Sequence, residues 1–380
     1  MKILIDGRFW GMENAGLGRY TINLVEELQK IDNKNEYLLL LRKKYFNKLT
    51  LPGNWIAVPA DFKHYGLQEQ IKLPGLISSY KPDIIHFLHF NIPLFLKMPY
   101  IVTIHDILMH KQKGLAATTL PFFSYFAKRL GYKTVFRKAV VGAERIIVPS
   151  RSVKKEVVNY YRIDPGKIDV TYEGYDERIL CKGDRKTVLR KYGINSGYFI
   201  YAGNAYPHKN LKRLIEAIIL LNRESGAKVL LVIATSRGVF EKRLKNDIKK
   251  AGATEYVKLL GYVPESDLGA LFENSIAFVF PSLSEGFGLP GLEALASGTL
   301  LIASDIPVFR EVYKESAFYF NPYDFSSIEK AMKNVADLEK SKREEAVKEG
   351  QEFARRYSWA KMARETLKIY EDSFGIRPGK

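Results

Sequence analysis

The chain has 380 residues, 46% of them hydrophobic and 27% charged, with a formal net charge of +17. This length is too great for one ordinary core and calls for two domains of roughly 150–200 residues each, while the composition excludes a disordered chain. No apolar run approaches the roughly 20 residues that span a bilayer, and the single cysteine, Cys181, excludes an internal disulfide or a Cys-rich metal site.

The opening MKILIDGRFW holds only a short apolar stretch, Ile3–Ile5, closed by Asp6. It is too short and too polar for a signal peptide and reads as a first strand, so a cytoplasmic location is expected. Further strands are predicted near Tyr37–Leu41, Asp83–Phe87, Tyr100–Ile104 and Arg145–Val148. Between the first two, Ile22, Val25 and Leu28 recur at helical spacing within Tyr20–Lys30. Ser150 is placed to cap another helix. A seam is expected near Asp169–Asp176. Strands then recur near Tyr198–Tyr201, Lys228–Ile233, Tyr256–Leu259, Ala277–Phe280, Thr299–Ala303 and Ala317–Phe320, separated by helical segments such as Leu211–Leu221 and Leu268–Phe272. Ser358 opens a final helix, Trp359–Tyr370. Two βαβ series of this kind predict two Rossmann-like, doubly wound parallel sheets in an α/β fold.

The stretch FVFPSLSEGFGLPGLEALASG, Phe278–Gly298, is the richest in chemistry. A buried strand runs into a Ser- and Gly-containing loop, and Pro290 then opens a helix. Ligands of open α/β sheets sit at the carboxyl ends of strands, where a helix N-terminus offers N–H groups to phosphate. Gly286 and Gly288 let backbone approach such a ligand. Glu285 precedes the helix and Glu293 lies inside it, and carboxylates suit sugar hydroxyls as acceptors. Taken alone, two glutamates read more readily as a loop cap and a solvated helix residue than as a site.

Three other segments follow strands in the same way. AGNAYPHKNLKRLIEAI brings Lys209 to a helix start, with Asn204 and His208 beside it. NAGLGRY, Asn14–Tyr20, reads as a Gly-rich loop before the first helix, without the GxGxxG spacing of a dinucleotide turn. IVTIHDI ends a strand with His105 and Asp106, and His donates or accepts near neutral pH. His86 and His89, in HFLHFN, line a site or pack, with packing favoured for His86. Gly261, Tyr262 and Val263 read alone as an ordinary turn.

The Glu-Gly-Phe-Gly-Leu-Pro string followed by Leu-Glu-Ala resembles the signature of retaining glycosyltransferases of family 4, whose fold is called GT-B. The chain looks most like bacterial mannosyltransferases of surface-polysaccharide assembly, through the PHKN loop and the IHD segment. The resemblance implies a GT-B fold with two domains facing a cleft. Residues 1–172 form the acceptor side, residues 173–357 bind the nucleotide sugar, and a terminal helix, 358–380, packs back on the first domain. It implies that Glu285 contacts the donor sugar and Glu293 holds the ribose, with Gly286, Phe287, Gly288 and Leu289 in the same loop. Lys209 stabilises the departing nucleotide, His105 lies close to the transferred sugar, and backbone at Tyr262 and Val263 meets the base. Gly16 and Gly18 line the donor diphosphate, with Arg19 a weaker candidate. Where many members carry an arginine, this chain has Asn204, which puts the second diphosphate cation in doubt.

The implied reaction is hexosyl transfer with retention, mannose from GDP-mannose being the first expectation and a UDP-sugar or a GT-B-shaped epimerase the alternatives. No cofactor is expected, and the absence of an Asp-x-Asp pair predicts that no metal is needed. The expected partners are a nucleotide-sugar donor and a glycan or lipid-linked acceptor. Nucleic acid is not expected, since no helix-turn-helix, zinc-finger or RNA-recognition signature accompanies the positive charge. Leu115–Lys138 interleaves aromatics with cations, which suits either docking on an anionic membrane or a half-buried helix with a basic face.

Overall fold

The computed structural model describes residues 1–111, 122–180, 183–226, 228–235 and 238–375; Cys181 and residues 115–121 of the basic aromatic segment lie outside them. The chain divides into two compact units, Met1–Gly174 with Ser358–Lys380, and Tyr175–Tyr357. Among the described residues, no helix is long and apolar enough to cross a membrane.

The first unit is built on a seven-stranded sheet whose order is β3-β2-β1-β4-β5-β6-β7. Its strands are Lys2–Asp6, Glu36–Leu41, Trp55–Pro59, Ile84–Phe87, Tyr100–Thr103, Arg145–Val148 and Ile168–Val170, numbered β1 to β7 along the chain. All observed pairings are parallel. Helices on both faces of a parallel sheet bury every residue of a central strand, so its sequence is continuously apolar rather than alternating. Leu38 to Leu41 are no more than 2% exposed. The order reverses between β1 and β4, which opens a crevice at their carboxyl ends.

Three features of this unit differ from the sequence reading. Strand β3 was not anticipated: it is an edge strand with Ile56 on its exposed side and Pro59 at its end, and both weaken the periodic signal. The segment expected at the seam overlaps the end of β7, which pairs with β6 through Ile146 and Ile168. The first helix starts at Ala15, not Tyr20, so Gly16 and Gly18 lie in its first turn rather than in a loop. Low helix propensity disguised that turn, but packing demands glycine at 18. A Cβ there would lie 2.0 Å from the Gly11 carbonyl oxygen, whereas one on Gly16 would meet nothing within 4 Å.

The terminal helix Trp359–Gly375 belongs to this unit and packs on the helix Ala15–Ile31. Tyr20 meets Trp359 edge to face at 6.2 Å. The buried Tyr370 hydroxyl lies 2.6 Å from His86 Nδ1, and Nε2 of that ring is 2.8 Å from Thr103 Oγ1. His86 is therefore a satisfied core histidine. Gly174 sits where the chain leaves the unit, and a Cβ there would fall 2.3 Å from the amide nitrogen of Trp359, where the chain re-enters it.

The second unit contains a six-stranded sheet of order β10-β9-β8-β11-β12-β13, again parallel. Its strands are Tyr198–Ala202, Leu230–Ala234, Val257–Gly261, Phe278–Phe280, Leu301–Ser304 and Phe318–Phe320, numbered β8 to β13. The order reverses between β8 and β11. Both sheets bear out the expectation of two doubly wound Rossmann-like layers.

Candidate active site

In the second unit, the two loops that leave the switch-point strands are the two segments richest in candidate residues. After β8, Pro207–Lys209 forms a 3-10 turn and Asn210 adopts φ +59° before the helix Leu211–Ser225. Asn210 tolerates this backbone because it is buried and its Nδ2 donates to the Pro322 carbonyl at 2.7 Å. After β11, residues 281–288 lead into the helix Leu289–Ala296, with Gly288 at φ +109° and Pro290 in the first turn. The loops are joined by the Leu283 amide, which donates to the His208 carbonyl at 2.8 Å.

Their side chains meet as well. Lys209 Nζ donates to Glu285 Oε1 at 2.5 Å, with both side chains about seven-eighths buried. The same ammonium lies 5.6 Å from the centre of the Phe280 ring. A sequence separation of 76 residues thus closes into one ion pair at the carboxyl edge of the sheet. Burial, with Lys209 beside it, lowers the His208 pKa to about 4, so this ring is neutral at physiological pH. Its Nδ1 is buried without a partner among the described residues. Glu293 is 2% exposed, which removes the solvated-helix reading.

Tyr313 is a site feature that sequence reasoning missed. Its fully buried hydroxyl donates to the Gly288 carbonyl at 2.5 Å. A Cβ on Gly288 would lie 2.2 Å from that oxygen, and one on Gly291 2.4 Å. Gly288 and Gly291 are thus the floor on which one tyrosine rests. Phe287 and Leu289 are buried. Asn204 lies on the β8 loop, its carbonyl accepting from Tyr201 Oη at 2.7 Å. Gly261 ends β10, followed by the exposed Tyr262 and the buried Val263.

In the first unit, the switch-point crevice is bordered by a charged network at the end of β1. Asp6 and Arg8 form a bidentate pair at 2.7 and 2.6 Å, and Arg8 reaches Glu69 at 2.7 Å. All three are buried. Burial would raise the Asp6 pKa, but the Arg8 guanidinium and its hydrogen bonds overcome this and hold it below the usual carboxylate range. Glu69 also accepts two hydrogen bonds from Asn91 Nδ2, at 2.7 and 2.9 Å. Four residues from three separate stretches thereby fix the loop after β1 against the one after β4. Above them His64 stacks on Phe9 at 4.0 Å, and His89 lies 5.0 Å from the same ring.

His105 follows β5 and is held on three sides. Its Nε2 donates to the Leu88 carbonyl at 3.0 Å, Nδ1 faces Glu173 Oε1 at 3.4 Å, and Tyr20 meets the ring edge-on at 4.7 Å. Glu173 was not singled out from sequence because it lies in the segment expected to be linker. The neighbouring Asp106 is exposed and accepts from the Leu108 amide. Gly16 is exposed and Gly18 buried at the start of the helix after β1; Arg19, also in its first turn, is half-buried.

Within the basic aromatic segment, the described side chains follow the half-buried reading. Phe136 is fully buried, and Tyr132 packs against the core with its hydroxyl 2.8 Å from His110 Nδ1. Lys133 and Arg137 face outward.

Two family models match the chain, Glycosyltransferase Family 4 over residues 15–178 and Glycosyl transferases group 1 over residues 184–353. Among curated relatives, the chain is 26% identical over 342 residues to the O-antigen chain mannosyltransferase RfbU of Salmonella typhimurium, covering 86% of this chain and 89% of that one. It is 26% identical over 384 residues to the O-antigen chain mannosyltransferase B of Escherichia coli, covering 94% and 96%. Among solved structures, Anabaena Alr3699/HepE in complex with UDP-glucose superimposes with a TM-score of 0.75 at 17% identity, over 98% of this chain and 100% of that one. WaaG, a glycosyltransferase involved in lipopolysaccharide biosynthesis, gives 0.72 at 12%, over 97% and 99%. With both halves matched by glycosyltransferase models and both sheets of the GT-B kind, the chain belongs to glycosyltransferase family 4.

Proposed function

We propose that the chain transfers a hexose, with mannose from GDP-mannose as the leading donor, to a glycan or lipid-linked acceptor at an anionic membrane surface on the cytoplasmic side, with retention at the anomeric carbon and without a metal. The observation that carries this reading is the Lys209–Glu285 pair at the switch point, next to the buried Glu293. The names of the mannosyltransferase relatives support the choice of sugar.

On this reading an acceptor hydroxyl oxygen bonds to the anomeric carbon while the bond from that carbon to the diphosphate oxygen breaks, and the hydroxyl proton passes to the departing diphosphate. Negative charge grows on the departing diphosphate. Lys209 is a fixed cation there, so it stabilises the transition state more than the bound donor. Glu285 holds the ammonium in place before the donor arrives and accepts from sugar hydroxyls afterwards. Glu293 takes the ribose hydroxyls, and backbone at Tyr262 and Val263 meets the base. The family resemblance assigns His105, which Glu173 holds at 3.4 Å, a role at the transferred sugar. Lys209 takes the role a divalent cation plays in metal-dependent transferases.

The test is a screen of GDP- and UDP-sugars for protection against thermal unfolding, since a ligand that binds only the native state raises its stability. Proton NMR of the product made from the protective donor then reads the anomeric configuration. Protection by GDP-mannose and an α-linked product support the proposal. Inversion refutes the mechanism, and a changed nucleotide sugar released without any acceptor identifies an epimerase instead.

A further inference from the structure

Among the exposed large hydrophobic residues of the described chain, the three most exposed lie in the first unit. Leu67 and Ile71 are 81% and 75% exposed, one turn apart on the helix Leu67–Tyr80, and Phe95 is 80% exposed in the loop after β4. The loop is stapled to that helix: Gln70 Nε2 donates to the Ile92 carbonyl at 3.2 Å, and Gln70 Oε1 accepts from the Leu94 amide at 2.8 Å. Single exposed apolar residues need no explanation, but a cluster held on a rigid frame does.

The exposed charges along the chain around the cluster are mainly lysines, and the exposed Asp61 just before it is paired with Arg42 at 3.5 Å. Between Phe62 and Pro99 the exposed charged residues are Lys63, Lys72, Lys81 and Lys97. The stretch has only two carboxylates. Glu69 is buried and spent on Arg8 and Asn91, and Asp83 stands at the opposite end of β4, accepting from the Lys2 amide. A partner protein with an apolar face would not require this bias. A bilayer with anionic headgroups does, because apolar side chains enter the acyl boundary while lysines stay among the phosphates.

We propose that the face formed by Leu67, Ile71 and Phe95, with Lys63, Lys72 and Lys97 around it, is a docking surface for an anionic lipid bilayer. This deepens the reading of a lipid-linked acceptor and rests on it only for the purpose of docking. The face joins that helix to the loop after β4, which Asn91 and Glu69 fix beside the crevice of the first unit. Docking would therefore bring lipid to the residues that border that crevice.

The experiment is co-sedimentation of the full chain with vesicles of phosphatidylcholine alone or with about 30% phosphatidylglycerol as the anionic lipid. Wild type is compared with Leu67→Ser/Ile71→Ser/Phe95→Ser and with Lys133→Glu/Arg137→Glu, which alters the basic helix instead. All these side chains are exposed, and circular dichroism checks that each variant is folded. Wild type is expected to bind the anionic vesicles, less at high salt. The triple serine variant should bind at least about tenfold more weakly, since burial of large apolar side chains is lost. A tryptophan at Phe95→Trp should be quenched by brominated lipid. Equal binding of wild type and the serine variant, or no binding at low salt, overturns the proposal. So does loss confined to the Lys133→Glu/Arg137→Glu variant. Donor protection and transfer to a soluble acceptor are unaffected by that failure, so it is distinguishable from a failure of the transferase reading.

Discussion

Gly288→Ala tests the packing that shapes the signature loop. Gly288 has φ +109°, where an L side chain is strained by about 1–3 kcal/mol. Its new Cβ would lie 2.2 Å from Tyr313 Oη and 2.9 Å from Phe309 Cε1. Both rings are fully buried, so neither can swing into solvent, and overpacking of this kind costs about 1–3 kcal/mol. The sum, about 2–6 kcal/mol, is a large part of the roughly 5–15 kcal/mol that holds an ordinary domain together. All three tryptophans lie in the first unit, so urea unfolding of the second is followed by far-ultraviolet circular dichroism. Tyr313→Phe alone loses the hydrogen bond to the Gly288 carbonyl, worth about 0.5–1.5 kcal/mol. In the double variant the hydroxyl that clashes with the new methyl is gone, leaving contacts of 2.9 and 3.1 Å. Its loss should therefore fall short of the sum of the singles by about 0.5–3 kcal/mol. Strict additivity, or a Gly288→Ala protein within about 0.5 kcal/mol of wild type, would refute the reasoning.

Lys209→Ala should lower turnover by about a hundredfold or more while the protein stays folded; near-normal turnover would show that the leaving group does not rely on it. Activity should survive exhaustive chelation, and strict restoration by magnesium or manganese would overturn the metal-free mechanism. Burial depresses the pKa values of His86, His110 and His208, to about 3, about 4 and about 4. The unfolded chain binds protons at these sites first, near pH 6.5. The stability that depends on neutral rings is therefore complete above about pH 6.5 and is lost as pH falls toward about 4. Urea midpoints at pH 7.5 and 5.0 check this, and an unchanged or higher midpoint at pH 5.0 contradicts it.

All but β3 and β7 of the strands were legible because a doubly covered parallel sheet writes itself as continuous apolar runs, as in YLLLL of β2 or YFIYA of β8. The signature loop was legible because its chemistry is contiguous, with Glu285, the glycines, Pro290 and Glu293 in one string. The helix Leu67–Tyr80 was not, since Pro74 and Gly75 interrupt its pattern and Leu67 and Ile71 stand on its exposed face. The helix start at Ala15 was obscured by glycines whose need comes from packing on Gly11, not from turn geometry.

Sequence by itself therefore determined the fold class, most of its strands and the loops that hold the candidate residues. These follow from local hydrophobic periodicity and from residues close together along the chain. Only tertiary structure decided which of those residues meet. The Lys209–Glu285 pair joins loops 76 residues apart, and Asp6, Arg8, Glu69 and Asn91 converge from three elements. Glu173 reaches His105 from a segment that reads as linker, and Tyr313 sets the signature loop from 25 residues away. Each of these contacts depends on which strands lie side by side at the switch points, and strand order is a property of how helices pack across the sheet, which no local pattern records.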